Sequence, residues 1–451
     1  MRCFVQSLEQ RGELVVVDRE VDPKYELAAV TKTIEDQCNK AVLFTNIRGT
    51  RFPVVTNLYG CRDRLASILH TTAGDLNRTW SRLTDQTDQT RDLASRTSMF
   101  LHEASGSDEL ISGCLRDLPL ITYYERDAGP YFTSAIFLAK EPDTGVPNLS
   151  FHRSMYVSDD ELRVRLGPTH HLTMFHEKAE RRNEPLEAAL LIGTPPEFFL
   201  AAAASVPYDA NEMLLAAEFA GHPVRLRPCQ FVDLEVPAET EIVVEGRFLP
   251  NERREEGPFG EFMGYYSPVA KNAVFEVLGV TWRSNAIFHS ILTGSPEGNL
   301  VQEVTVAANM YRRLSEVLPG IVDVNCLPLQ THAVVQMHQL YSGHARHVLL
   351  AAMGVEPVWG KICTVVDDDV DIYDLHDVTW AILTRSRLKR DIAIVDDVPS
   401  YYSDRDQWGR MGIDATVPYD RRAEFERTRI PGIADVDLSK YVSTKRRAAE
   451  R

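Results

Sequence analysis

Strand-like runs of β-branched and aromatic residues alternate with stretches of helical periodicity almost from end to end of this chain. That alternation confines it to the α/β or α+β class. Residues 23–39 carry apolar positions at helical spacing, and 41–47 and 51–57 read as short strands. Residues 75–100 are polar and rich in Asp, Thr and Arg, which predicts a solvated helix or a mobile segment. From about Thr122 the β signal dominates, with strands expected over 131–140, 150–157 and 161–167, the last two joined by Ser158-Asp159-Asp160. A helix is expected over 171–182, a buried strand over 188–193 and an apolar helix over 211–220. Strands follow over 224–236, 241–248, 273–282 and 286–292, then one long helix over 298–318. Beyond Pro319-Gly320 a fresh pattern begins: strands over 321–327, 331–337, 361–367 and 391–397, with helices around His344 and Trp380.

The 451 residues suffice for two or three packed domains. A net charge of −16 leaves no basic footprint for phosphate backbones, which argues against nucleic-acid binding. Seven dispersed cysteines without a CxxC predict buried thiols in a reducing compartment, neither a disulfide frame nor a zinc site. The first residues carry charges throughout and lack the apolar core of a signal peptide. The most apolar stretch, 186–206, is interrupted by Gly-Thr-Pro-Pro-Glu and is unsuited to span a bilayer, so a cytoplasmic protein is expected. No internal repeat or low-complexity tract is visible.

GxGxxG after a strand, GxxxxGK[ST] and GxSxG are all absent, which removes the simplest arguments for a dinucleotide enzyme, a P-loop ATPase or an α/β-hydrolase. The Asp367–Asp371 run fails as an EF-hand because Ile372 stands where the turn needs glycine. It reads instead as strand-end carboxylates capping the next helix. His170, His171 and His176 lie close in sequence but form no HExxH. More informative is Glu256-Gly257-Pro258-Phe259-Gly260-Glu261, two carboxylates held apart by a turn whose prolyl ring and glycines define its path. Paired carboxylates in unlike environments suit acid and base roles, although a charged hairpin loop would look similar. Asn148 to Arg153 opens a strand, and a period of two places Asn148, Ser150 and His152 on one face. Arg153 then points away, unless the strand is bulged or the chain turns there. An arginine near two glutamates keeps one ionised and also receives a substrate carboxylate. Asn, His and Glu together suit a hard or borderline divalent cation.

EGPFGE followed by GYY at 264–266 resembles the motif of UbiD-family decarboxylases, and NLSFHR is similar to the strand that carries that family's metal-binding Asn and catalytic Arg. PTHH at 168–171, VPYDANE at 206–212, the stretch 233–246, YSGHAR at 341–346, VVDDDVDIYD and TWAILTR extend the resemblance, in order, from about residue 10 to 430. The resemblance implies a flavin-binding region over 1–297 built round a split β-barrel, a linking helix over 298–320 and a smaller α/β domain over 321–430. It leaves a tail over 431–451, expected to reach over a partner in a homodimer or higher homo-oligomer. It further implies reversible, non-oxidative decarboxylation of an aromatic, heteroaromatic or α,β-unsaturated acid with prenylated FMN, which a flavin prenyltransferase supplies. Arg153, Glu256 and Glu261 would form the catalytic ion-pair network. Asn148, His170 (preferred over His171) and Glu212 would hold Mn2+ or Mg2+ against the flavin phosphate, with K+ beside it. Ser150, Phe151 and Ser205 would line the flavin, Arg153 and Thr169 would also contact it, and Arg410 is expected at its phosphate. Thr169, residues 289–302 and those after Met411 would shape the substrate pocket, where Gln302 hints at a polar or heteroaromatic acid. Two departures stand out: Arg410 replaces the family's usual lysine before MGIDAT, and the loop before Glu212 is shorter. A flavin-free metal-dependent hydrolase and a non-catalytic flavin-binding paralogue are the alternative readings, and retention of all six polar positions weighs against the second.

Overall fold

The computed structural model describes residues 1–89, 98–103, 110–327, 330–399 and 405–441. Parts of the expected 75–100 segment and of the 431–451 tail lie outside these. A four-stranded sheet near the N-terminus is ordered Leu14–Val17, Ala41–Phe44, Val54–Thr56, Phe288–His289, and helix Glu26–Cys38 belongs to the same region.

The centre of the fold is a nine-stranded sheet. Its middle strands are Ile136–Lys140, Leu186–Ile192, Ile242–Glu256 and Ala270–Arg283, all antiparallel to their neighbours. Successive residues of these strands enter opposite cores. Ile136, Leu138, Ala189, Leu191 and Val243 pack on one face. Phe137, Ala188, Leu190, Ile192, Ile242 and Val244 pack on the other. A sheet covered on both sides explains the unbroken apolar run AALLI, where a half-exposed strand would alternate with polar residues. Each fully buried Leu or Ile contributes about 1.5–3 kcal/mol relative to exposure.

Helix Pro296–Val317 begins at Ser295, whose side chain accepts from the Gly298 N–H. Val301, Val304 and Ala308 enter the first core, while Val306, Met310 and Leu314 enter that of the C-terminal sheet, so one helix joins the two. That sheet runs Ile321–Leu327, His332–Met337, Ile362–Asp367, Arg410–Ala415, Ile392–Val395. The seven cysteines are free. Among the described residues no helix is long and apolar enough to cross a membrane.

Several local expectations change: the runs 131–140 and 224–236 each split into two strands, Tyr131–Phe132 with Ile136–Lys140 and Val224–Pro228 with Glu235–Pro237. Helix Leu76–Gln89 is not a solvated surface helix: Leu76, Asn77, Trp80, Ser81 and Thr84 are buried. Its polar residues tolerate this because they find partners, Asn77 Nδ2 donating to the Val324 carbonyl at 2.6 Å and Thr84 Oγ1 to that of Trp80 at 3.0 Å. Residues 150–157 are not one strand, because Pro147–Phe151 ends and Ser154–Ser158 begins across a corner at His152-Arg153. Helix Pro196–Ala203 was not foreseen, and it starts on the proline that interrupts the apolar stretch. Arg410–Ala415, read only as a motif, is an interior strand. It lies so close beneath helix His344–Val355 that a Cβ on Gly412 would stand 2.5 Å from Met353 Sδ.

Candidate active site

The corner between the two strands turns the Arg153 side chain toward the end of strand Ile242–Glu256. Arg153 donates to Glu256 through Nε at 3.0 Å and Nη2 at 2.7 Å, and to Glu261 through Nη1. Glu256 also accepts from Tyr131 Oη at 2.8 Å and Asn272 Nδ2 at 2.8 Å, and its side chain has no exposed surface. The guanidinium lies over the Phe259 ring, 4.9 Å from its centroid. Burial works against the charge of Arg153, but Glu256 and Glu261 outweigh it and hold the group above its ordinary value. Burial and the Glu256 carboxylate raise Tyr131, which therefore stays a phenol and a donor.

The loop joining the carboxylates is built from close contacts. Gly257 sits at φ 94°, a region that a side chain strains. Gly260 donates its N–H to Asp127 at 2.8 Å, and its carbonyl accepts from Thr293 Oγ1 at 2.8 Å. A Cβ on Gly260 would stand 2.2 Å from the Tyr124 ring. Gly260→Ala should therefore shift the loop that aims Glu261 and lower turnover about 10–100-fold, since misplacement near 1 Å has that effect. Turnover within twofold of wild type would show that the loop adapts. The two carboxylates differ as acid and base partners should: Glu256 is sealed, whereas the Glu261 side chain is 21% exposed and meets Arg165 Nη1 at 3.6 Å.

Beside this pair runs a buried polar row. Asn148 Nδ2 donates to Glu212 Oε1 at 2.7 Å. Ser150 Oγ donates to Asn148 Oδ1 at 3.1 Å and lies 3.0 Å from His152 Nε2. His152 Nδ1 faces the Arg165 carbonyl at 3.1 Å. Burial, and then the nearby His170, push His152 down to about 3, so it is neutral. A carbonyl only accepts, so the one ring proton belongs on Nδ1, and the single Ser150 hydroxyl proton serves two acceptors. Glu212 opens helix Glu212–Ala220, capped by Asn211. Burial raises its pKa despite His171 and Asn148, and its Oε2 is buried without a hydrogen-bond partner. An orphaned carboxylate oxygen, an under-supplied amide oxygen and neighbouring imidazoles fit a divalent cation of the Mn2+ or Mg2+ kind. Among the described residues no three His, Cys, Asp or Glu cluster as a metal site, so such a set needs the Asn148 amide.

The period-two face is therefore real, and the chain does turn at Arg153. Asn148 and Glu212 touch. His171 Nδ1 stands 3.6 Å from Glu212, while the His170 ring lies 4.9 Å from that of His152. Phe151 packs edge-on to Phe199 at 4.9 Å. Thr169 and Ser205 are exposed, beside His170 and between helices Pro196–Ala203 and Glu212–Ala220 respectively. Arg410 is not brought to this cluster: it is buried in the C-terminal sheet and donates to the Met353 carbonyl at 2.6 Å. Within the Asp367–Asp371 run Arg385 holds Asp367 and Asp369, Asp371 accepts from the Tyr373 N–H at 2.9 Å, and the helix cap falls to Asp374. Sequence reading missed Tyr131, Asn272 and Arg165. The offset pairing that sets Asn272 beside Arg254 follows a register shift between Phe248 and Arg253, which no local signal announces.

Family models match the chain in three consecutive pieces. These are the 3-octaprenyl-4-hydroxybenzoate carboxy-lyase N-terminal domain (5–84), the Rift-related domain (103–296) and the C-terminal domain (299–415). Anhydromevalonate phosphate decarboxylase of Methanothermobacter thermautotrophicus is 32% identical over 95% of this chain and 99% of its own length. The UbiD-class enzyme HmfF of Pelotomaculum thermopropionicum, solved with FMN, is 34% identical, with a TM-score of 0.90 over 98% of this chain and 99% of that one. An evolved dimeric form of HmfF, solved with prenylated FMN, superposes with a TM-score of 0.88 at 34% identity over 98% of this chain and 99% of that one. Sequence, fold and relatives agree over nearly the whole length: the chain belongs to the UbiD family and is a decarboxylase of that class.

Proposed function

We propose that the protein catalyses the reversible, non-oxidative decarboxylation of an aromatic, heteroaromatic or α,β-unsaturated acid with prenylated FMN and Mn2+ or Mg2+. The observation that carries this reading is Arg153 clamped between a sealed Glu256 and a solvent-reaching Glu261. A guanidinium has five N–H groups. Three nitrogen-to-carboxylate bonds use three of them, leaving two to orient a substrate carboxylate. Loss of carbon dioxide leaves an electron pair on carbon that no ordinary side chain delocalises, and a bound prenylated flavin supplies the electron sink. Glu256 keeps Arg153 charged and fixed. Glu261, open to solvent for reprotonation, delivers a proton to the former carboxyl carbon. Ser150, Phe151 and Ser205 would line the flavin, and Thr169, residues 289–302 and those after Met411 the substrate. Asn148, Glu212 and His170 would hold the metal, with K+ beside it. The working form would be a cytoplasmic homodimer or higher homo-oligomer whose cofactor comes from a flavin prenyltransferase.

If the orphaned Glu212 oxygen marks the metal site, Glu212→Ala and His170→Ala should empty it and weaken flavin retention together, because the metal neutralises a buried phosphate. Elemental analysis and flavin absorbance of the purified variants measure both. Stoichiometric metal in both variants would remove the assignment. The reading as a whole is tested by mass spectrometry of the flavin after co-expression with a flavin prenyltransferase, followed by a panel of acids. A colourless protein with full activity would overturn it.

A further inference from the structure

Arg165 has no role in the chemistry above, yet it occupies a distinctive place. It follows strand Glu161–Val164, and its backbone is held on both sides of its Cα, at the N–H and at the carbonyl. Its N–H donates to the Arg153 carbonyl at 3.3 Å, and its own carbonyl faces His152 Nδ1 at 3.1 Å. The side chain reaches Glu261 Oε1, the oxygen that also accepts from Arg153. Two guanidiniums thus flank one carboxylate. They are unequal. The Arg153 side chain is 9% exposed and carries three hydrogen bonds, while that of Arg165 is 44% exposed and meets Glu261 at 3.6 Å, beyond hydrogen-bond distance. A rigid backbone under a loosely committed, solvent-facing guanidinium is the arrangement of an anion receptor waiting for a partner.

We propose that Arg165 binds a second anionic group of the substrate, so that the preferred acid carries a further carboxylate or a phosphate besides the carboxyl group it loses. The inference rests on the decarboxylase reading, since it assumes that Arg153 takes the scissile carboxylate. One guanidinium per anion balances the site: Arg153 orients the group that leaves, and Arg165 anchors the group that stays. Binding of the second anion draws Arg165 off Glu261, which couples recognition of the right acid to release of the proton donor from one of its two cationic neighbours. The groups around Glu261 are Arg153 and Arg165 directly, Glu256 across Arg153, and Asp127 through the Gly260 amide. Glu256 and Asp127 are carboxylates and offer a second anion nothing, so Arg165 is the cation left for it. The same chemistry would also serve a flavin phosphate, and the test must separate the two.

The experiment uses the flavin-loaded, metal-loaded enzyme and matched pairs of acids: benzene-1,4-dicarboxylate with benzoate, furan-2,5-dicarboxylate with furan-2-carboxylate, and anhydromevalonate phosphate with its unphosphorylated form. Binding is measured by calorimetry and, for each acid turned over, kcat and KM are determined. Wild type should favour the dianionic member of at least one pair by about 10–100-fold, the range of a charged hydrogen bond. Arg165→Gln should abolish that ratio, chiefly through Kd and KM, and Arg165→Lys should restore part of it. An unchanged ratio in Arg165→Gln overturns the proposal. So does loss of flavin from that variant, which would assign Arg165 to the cofactor phosphate, or an equal loss for both members of a pair, which would assign it to Glu261 alone. If wild type binds dianions selectively through Arg165 but decarboxylates nothing, the decarboxylase mechanism fails and the anion site stands.

Discussion

Replacing Glu261 by Gln should lower turnover by about 10²–10⁴-fold, the range expected when a positioned general acid is lost, while flavin and metal still bind. The change keeps size and polarity, so the loop contacts of residue 261, its N–H to the Tyr265 carbonyl at 2.9 Å and its own carbonyl with the Gly264 N–H at 2.9 Å, survive. What disappears is the group that carries the proton. Because protonation follows loss of carbon dioxide, substrate should accumulate in a bound form with an altered absorption spectrum, and exchange of deuterium from D₂O into product should stop. Glu256→Gln should behave differently. Glu256 is sealed and pairs with Arg153, Tyr131 and Asn272. Removing its charge leaves a largely buried guanidinium with one carboxylate in place of two. Its loss of activity should therefore come with lower stability and vary more between substrates. Equal effects of the two changes on exchange and on stability would contradict the division of roles.

Glu35→Gln should stabilise the protein by an amount that grows with pH. Glu35 lies on helix Glu26–Cys38, and both carboxyl oxygens are buried without a hydrogen-bond partner. Burial, and then the nearby Glu297 carboxylate, push it up to about 8 from 4.5. Below pH 4.5 the folded and unfolded chains both hold the proton, and the residue imposes no ionisation penalty. Between pH 4.5 and 8 the unfolded chain gives up that proton and the folded one keeps it, so stability falls as pH rises; above pH 8 both have released it and the penalty is constant. Each pH unit between the folded and unfolded values costs about 1.4 kcal/mol, so the full penalty is on the order of a few kcal/mol. The variant should match wild type in chemical denaturation at pH 4.5 and exceed it clearly at pH 8. Denaturation curves separated by the same amount at both pH values would show that Glu35 is not held protonated by burial.

Much of the site was legible because it is written in local periodicity. The alternation over 148–152 placed Asn148, Ser150 and His152 together, and the structure joins them in one hydrogen-bonded row. The Gly-Pro-Phe-Gly spacing signalled a built turn. What stayed hidden depends on distant partners. Arg410–Ala415 is an interior strand only because strands Ile362–Asp367 and Ile392–Val395 flank it; its own glycine and aspartate weaken any strand signal. Helix Leu76–Gln89 buries polar residues that composition assigns to solvent, since Asn77 meets a carbonyl 247 residues away. Arg410, expected at the cofactor by analogy with a lysine, instead holds the Met353 carbonyl near the end of helix His344–Val355. Arg165 was silent in sequence, because its proximity to Glu261 is set by a strand corner and a loop that only the fold brings together.

If this chain decarboxylates an unsaturated acid and Glu261 supplies the proton that replaces the carboxyl group, the product must carry the isotope of the solvent. The deciding measurement is an anaerobic incubation of flavin-loaded wild type and Glu261→Gln in D₂O with a panel of aromatic, heteroaromatic and α,β-unsaturated acids. Mass spectrometry and NMR then locate and count the deuterium in each product. At least one acid should yield a product with a single deuterium at the former carboxyl carbon. That yield should fall by about 10²–10⁴-fold in the variant although its flavin is retained. Deuterium incorporation at the wild-type rate by Glu261→Gln, or full turnover by protein that holds no flavin, would contradict it.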